Sequence, residues 1–261
     1  MTLEVKDLNY GDFKNFNIIF KSYKSYSIIG DINCGNETLF RILSTSIMTN
    51  NNIFFNDNPL EMNTRFRYLR KIGVIKEVNN NSFILDNVYD ELSFSLKKLN
   101  IEEDEIKTRI DFYLKYFNLK IKSKKISELT IYEKQLLVII IALLHEPSII
   151  FMEDIICNLK LEDYIKVNKL FSYFMDKKKL IVIKFFNNFD YVNHDDYIYV
   201  MDDYEIVKEG FKDDLMVDDQ FLNKHNLRVP FIYDLSLKLK MYKLIDKVYI
   251  NMKDMVNDIW K

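Results

Sequence analysis

The stretch from Tyr132 to Asp154 constrains the fold more than any other. A helical pattern over about Tyr132 to Leu144, apolar throughout from Leu136, stops at His145-Glu146-Pro147. It passes into the apolar run Ser148-Ile149-Ile150-Phe151-Met152, which ends on Glu153-Asp154. A strand without a polar face must be covered on both sides, and a helix feeding such a strand is the pattern of an α/β sheet. The remaining chain fits around it. Leu3 to Leu8 and Phe16 to Phe20 alternate loosely, and Ser25 to Ile29 runs apolar up to Gly30, so the chain opens in β-structure. A helix is expected from about Glu37 to Met48, and short strands at Ile53-Phe54-Phe55 and Ile72-Gly73-Val74-Ile75. Helical spacing fills Asn87 to about Asn118, with Asn100 to Asp104 as a polar break. A further helix, roughly Asp163 to Phe174, precedes a strand from Leu180 to Lys184. Tyr197 to Met201 and Tyr204 to Val207 read as a hairpin about Asp202-Asp203, and the last fifty residues as helices broken at Pro230.

Composition narrows the function classes. A chain of 261 residues is one large α/β domain, or one domain with a smaller lobe. Hydrophobic residues at 48% and charged residues at 29% describe a folding chain and not a disordered one. Lys plus Arg is 37 against 39 Asp plus Glu, a net charge of −2, which leaves no basic excess for a nucleic-acid backbone. Cys34 and Cys157 lack metal or redox spacing, so a reducing cytosol is expected. The run from Leu136 to Leu144 is far short of the roughly 20 residues that span a bilayer. Met1 to Lys6 has no signal-peptide pattern, so any membrane contact is expected through a partner. Only five glycines occur, Gly11, Gly30, Gly35, Gly73 and Gly210, where average usage gives roughly eighteen. The abundance of Ile, Asn, Lys, Tyr and Phe points to drift towards AT-rich codons, which by itself accounts for many substitutions.

Gly30-Asp31-Ile32-Asn33-Cys34-Gly35-Asn36-Glu37-Thr38 follows a strand and opens a helix with the G-x-x-x-x-G spacing of a phosphate-cradling loop. Asn36 stands where such a loop carries lysine, and Glu37 where a hydroxyl would hold Mg²⁺. Each misplaced charge about 4 Å from a phosphate costs on the order of 1 to 4 kcal/mol, and two of them weaken binding by several decades. On this motif alone, a strand-to-helix turn with coincidental glycines is the favoured reading.

From about Leu3 to Lys240 the chain resembles the nucleotide-binding subunit of ABC transporters, and within that family the ATPase of energy-coupling factor importers. Ile72-Gly73-Val74-Ile75-Lys76-Glu77 is similar to the family's strand into the Q-loop, with Glu77 at the glutamine position. Val88-Tyr89-Asp90-Glu91-Leu92-Ser93-Phe94 is similar to its V-Y-D-D-I-A-F stretch. Glu128-Leu129-Thr130-Ile131-Tyr132-Glu133-Lys134-Gln135 takes the place of the E-L-S-G-G-Q-K-R signature, without its glycines. Glu153-Asp154 resembles the Walker B D-E pair in reversed order, and Asn158-Leu159-Lys160 replaces the G-L-D of the D-loop. Asn187 falls at the switch histidine; His145, His194 and His225 lie elsewhere and read as surface residues.

The resemblance implies a P-loop NTPase-like ABC nucleotide-binding domain over 1–210, with a helical subdomain at about 85–145 and a helical C-terminal extension over 211–261. Asp154, Glu77 and Asn187 occupy the catalytic positions. Tyr10 and the loop from Gly30 to Thr38 (Asp31, Ile32, Asn33, Cys34, Gly35, Asn36 and Glu37 between them) would meet ATP. Thr130, Ile131, Tyr132 and Glu133 would meet a partner's nucleotide in trans, and Glu153 with Glu77 would meet Mg²⁺. Tyr10 either stacks on adenine or packs as one of 17 tyrosines. ATP and Mg²⁺ binding is expected to be weak or lost, since loop lysine, hydroxyl, signature glycines and switch histidine are all absent. The expected protein is therefore a degenerate subunit, the structural or regulatory half of an ATPase heterodimer, peripheral on the cytoplasmic face of the membrane. A transmembrane coupling subunit would dock through about 77–94. Two alternatives stand beside it: a divergent but active ATPase powering import of a vitamin or metal ion, and a stand-alone soluble binding module. The tail about Phe221 to Leu239 either dimerises or packs on its own domain.

Overall fold

The structure, a computed structural model, describes residues 1–260 except 46, 48, 50, 51, 80, 156, 157, 194, 217, 250 and 251. Cys157, His194 and Met48 thus lie outside the described residues. Strands β1 (Thr2–Tyr10), β2 (Phe13–Lys21) and β3 (Lys24–Ile29) open the chain, and α1 (Asn36–Leu43) follows. Next come β4 (Ile53–Phe55), β5 (Asn58–Pro59), α2 (Arg65–Leu69) and β6 (Ile72–Ile75). Helices α3 (Val88–Lys98), α4 (Glu103–Tyr116) and α5 (Ile131–Leu144) lead to β7 (Ile149–Met152), α6 (Leu161–Lys178) and β8 (Ile181–Phe186). The chain finishes with β9 (Tyr197–Asp202), β10 (Glu205–Phe211), α7 (Lys212–Met216), α8 (Asp219–Lys224), α9 (Phe231–Met241) and α10 (Met252–Ile259).

Two sheets result. An antiparallel one runs β2-β1-β4-β5, and the other runs β10-β9-β3-β8-β7-β6, parallel from β9 to β6 with β10 as an antiparallel edge. Alternation along the parallel strands divides the core: Ile149, Phe151, Ile181 and Ile183 join the small sheet and α1 in one cluster, while Ile150, Met152 and Val182 join the other helices in a second. The α/β class expected from the sequence is what forms. All four residues of β7 are buried, as a strand with helices or a sheet on each face requires.

Four expectations are corrected. The first helix ends at Leu43 and not near Met48, because Thr45 takes φ +60° and breaks the ladder. Strand β8 runs on to Phe186, since Lys184 is paired inside the core and does not end the apolar run. The hairpin turns about Asp203-Tyr204, one residue later than expected, with both at positive φ as the twist of a two-residue hairpin demands. His145 is not a surface residue: its Nε2 lies 2.9 Å from the Ile72 carbonyl and burial pushes its pKa down, while His225 is half-buried against Asp202.

Candidate functional site

The C-terminal ends of the central parallel strands are where ligands meet an open α/β sheet. Here β3 ends on Ile29, β6 on Ile75, β7 on Met152 and β8 on Phe186, and a cavity of about 540 Å³ lies at those ends. Asp31, Ile32, Asn33, Gly35, Asn36, Glu37 and Thr38 line it from the loop, Glu77 and Glu153-Asp154 from the strand ends, and Asn187 from beyond β8. Glycine is required twice by the loop. At Gly30 a Cβ would stand 2.4 Å from the Met201 carbonyl oxygen, and Gly35, with φ +106°, caps α1 in a conformation that other residues adopt only under strain.

The residues expected from sequence do not all meet here. Tyr10, at the end of β1 opposite Phe13, stands outside the lining, as do Gly30 and Cys34. The Cys34 side chain is buried on the Gly30 side of the loop, and burial raises its thiol pKa. Phe40, Phe185 and Tyr204 line the cavity without having been anticipated. Tyr204 holds φ +64°, and its ring approaches Gly35 so closely that a Cβ there would be 2.8 Å from Cδ1. Its amide donates to the Cys34 carbonyl at 2.9 Å, and Phe13 meets the ring edge-on at 5.0 Å. The only sequence signal for it was its place at the start of the second hairpin strand, and the pairing of β9 with β3 that carries it to the loop belongs to the tertiary structure.

Electrostatically the lining is one-sided. Asp31, Glu37, Glu77, Glu153 and Asp154 are acidic, and no described lining residue is basic. Burial raises the Glu153 pKa, opposed by the Lys76 charge and by a hydrogen bond from the Glu77 backbone, and reinforced by the charges of Glu37 and Glu77. Asp31 turns its own Oδ1 onto the Ile32 amide at 2.8 Å, so one loop donor already holds an anion. Asn36 donates to the Phe186 carbonyl at 3.4 Å and leaves Oδ1 buried without a partner. Asn158 donates to Glu77 at 3.2 Å, tying the positions of the D-loop and Q-loop. The acids share a wall but do not converge, for no group of three or more His, Cys, Asp or Glu is arranged to hold a metal among the described residues. Glu77 and Glu153, the two carboxylates expected to meet Mg²⁺, both stand on that wall.

Thr130, Ile131, Tyr132 and Glu133 lie apart from this cavity, at the N-terminus of α5. Thr130 Oγ1 accepts the Glu133 amide at 3.1 Å, and Glu133 Oε2 accepts the Thr130 amide at 2.9 Å. The helix end thus carries its own carboxylate, held below the usual range by Thr130 and by Lys124 at 3.2 Å. Ile131 is 65% exposed where the resembled motif has its first glycine. Tyr132 donates to Asp163, and Lys160 sits 4.7 Å from the centre of its ring, so the segment is bound to the start of α6.

Comparison with known proteins agrees with this geometry. A family model described as ABC transporter matches residues 13–155. The energy-coupling factor transporter ATP-binding protein EcfA1 of Oenococcus oeni is 22% identical, covering 99% of this chain and 97% of that one. The EcfA1 of Mesomycoplasma hyopneumoniae is 25% identical over 95% and 90%. The solved cbiO1 of Clostridium perfringens, part of the ABC transporter complex cbiONQ, superposes with a TM-score of 0.72 at 23% identity, covering 87% of this chain and 95% of that one. A dimeric ATP-binding cassette bound to ADP and phosphate gives 0.70 at 19% identity, over 80% and 98%. At such identities the superpositions establish the fold.

Proposed function

The chain belongs to the ABC transporter family of ATP-binding domains, and from that premise we propose that it is the degenerate half of an ATPase pair in an energy-coupling factor type importer. One observation carries the reading: five carboxylates and no described basic side chain line the cavity where a polyphosphate would sit. Two loop and helix donors that would face phosphate are already engaged by Asp31 and Glu133. Anion binding is opposed at both ends while the sheet, the loop backbone and the helices persist. Such a chain serves as scaffold or regulator for a motif-complete ATPase, which supplies the hydrolytic site. The relatives named as energy-coupling factor subunits support the importer class.

On this reading residues 1–210 are the nucleotide-binding domain, with a helical subdomain at about 85–145, and 211–261 a dimerising extension. Exposed Phe231, Met241, Tyr242, Leu244, Val256 and Trp260 supply that extension with apolar surface. The protein sits on the cytoplasmic membrane face, held by a transmembrane coupling subunit at about 77–94. No described helix is long and apolar enough to cross a membrane.

Calorimetry and phosphate release on the purified chain test the site: binding of Mg-ATP weaker than micromolar and negligible turnover are expected. Micromolar affinity, or turnover abolished by Asp154→Asn, would establish the divergent active ATPase in its place. Co-purification from native membranes tests the pairing. Two different ATPase subunits are expected, and a fully transporting homodimer would exclude the heterodimer.

A further inference from the structure

One ammonium group stands directly behind the acidic lining. Lys76 leaves the end of β6 one residue before Glu77, and its Nζ lies 4.9 Å from the centre of the Phe40 ring, which forms part of the cavity wall. Glu153, another lining residue, feels its charge, and among the described residues Lys76 is the cation that acts on that carboxyl. The lysine main chain is fixed: Gln135 donates to its carbonyl at 2.9 Å and accepts the Val78 amide at 3.0 Å. Its side chain is half-buried, with no carboxylate of the described residues within the 4.0 Å of an ion pair. A half-buried lysine whose charge reaches Glu153, yet ion-paired with no carboxylate of the described residues, leaves its charge for a partner that the chain does not itself contain.

We propose that Lys76 replaces the missing loop lysine, its ammonium leaving the Phe40 face to neutralise the phosphates of a nucleotide seated on the loop from Gly30 to Thr38. The proposal rests on reading that cavity as a nucleotide site. A lysine is a point charge on a four-carbon stem, so it can serve phosphate from a neighbouring strand end as well as from the loop. A cation over an aromatic face is held weakly compared with a charge-assisted bond to phosphate, which favours the exchange once a polyphosphate arrives. Lys76 then accounts for whatever weak affinity persists although Asn36 and Glu37 oppose it.

Titration of the full-length chain with ATP and with adenosine tests this. Replacing Lys76 with Met should weaken ATP by about tenfold or more, the loss of one charge contact near a phosphate, and leave adenosine unchanged. Lys76→Arg should stay close to wild type, and Asn36→Lys added to Lys76→Met should restore ATP binding. Lys76→Gln provides the same comparison should the Met variant fail to fold. Equal ATP affinity in wild type and Lys76→Met overturns the proposal, as does an equal loss for ATP and adenosine, which would mark Lys76 as packing for Phe40. Absence of saturable ATP binding in wild type also overturns it, while leaving the degenerate half of an ATPase pair standing. Conversely, recovery of a transporting homodimer removes the pair without touching the role of Lys76.

Discussion

Lys184 occupies the middle of a buried strand where the pattern calls for an apolar residue. Its Nζ lies 2.7 Å from Asp196 Oδ2, both side chains are 1% exposed, and Ser27 Oγ donates to the same carboxylate at 2.6 Å. Burial pushes the lysine pKa down, and Asp196 opposes it. Taking two charges out of water is expensive, so removing one partner leaves an uncompensated ion in the core. Asp196→Ala should therefore cost about 3 to 5 kcal/mol, read by urea denaturation. The double variant Lys184→Met with Asp196→Leu, which removes both members of the ion pair, should recover most of that loss. Ser27→Ala, which removes one hydrogen bond from a pair otherwise intact, should cost about 1 kcal/mol.

Helix α5 carries its own carboxylate on its N-terminus, through the reciprocal bonds of Thr130 and Glu133. Removing the cap in Thr130→Ala should cost about 0.5 to 2 kcal/mol of stability. The Glu133 carboxyl has a folded pKa below its unfolded value, first because Thr130 hydrogen-bonds to the charged form. Its contribution is thus complete above the unfolded carboxylate range and is lost as pH falls through the folded value. Thermal melts between pH 7 and pH 3 should show wild type losing more stability on acidification than Glu133→Gln. If the two decline in parallel, the cap carboxylate is not the group responsible. The ion pair of Glu133 with Lys124 was not legible in the sequence, because the partner comes from the loop before the helix.

At the scale of the whole molecule, the segment from Phe83 to Phe94 separates what supports the core from what the proposed coupling subunit would meet. Val88 and Leu92 are fully buried, Phe83 and Tyr89 are half-buried, and Ile84 is 74% exposed. Tyr89 donates to Glu103 at 2.6 Å, which pushes the phenol up to about 12, and Lys97 and Lys122 flank its ring. Its packing is peripheral, so Tyr89→Ala should lower the melting temperature little while weakening attachment to the proposed coupling subunit by about 2 kcal/mol. Membrane co-sedimentation reads the attachment, and Ile84→Asp should release the chain as well. Unfolding of Tyr89→Ala, with recruitment intact in the folded fraction, would place the segment in the core and withdraw the docking face.

The sequence alone was enough for the α/β class, the strand order of events around Gly30 and Glu153, and the loss of the loop lysine. These are local: periodicity, a glycine spacing and the identity of a residue at a given position do not depend on distant contacts. Tertiary structure decided the rest. Lys184 reads as the end of a strand until Asp196, twelve residues on, neutralises it and lets β8 continue to Phe186. Tyr204 reads as hairpin until the pairing of β9 with β3 carries the turn over Gly35 and into the cavity. Lys76 reads as one charge in a strand edge until β6 and α1 pack and its ammonium comes to rest behind the wall of carboxylates. In each case the deciding neighbour is remote in sequence, and packing density, not propensity, brings it within the few ångströms over which charge and shape act.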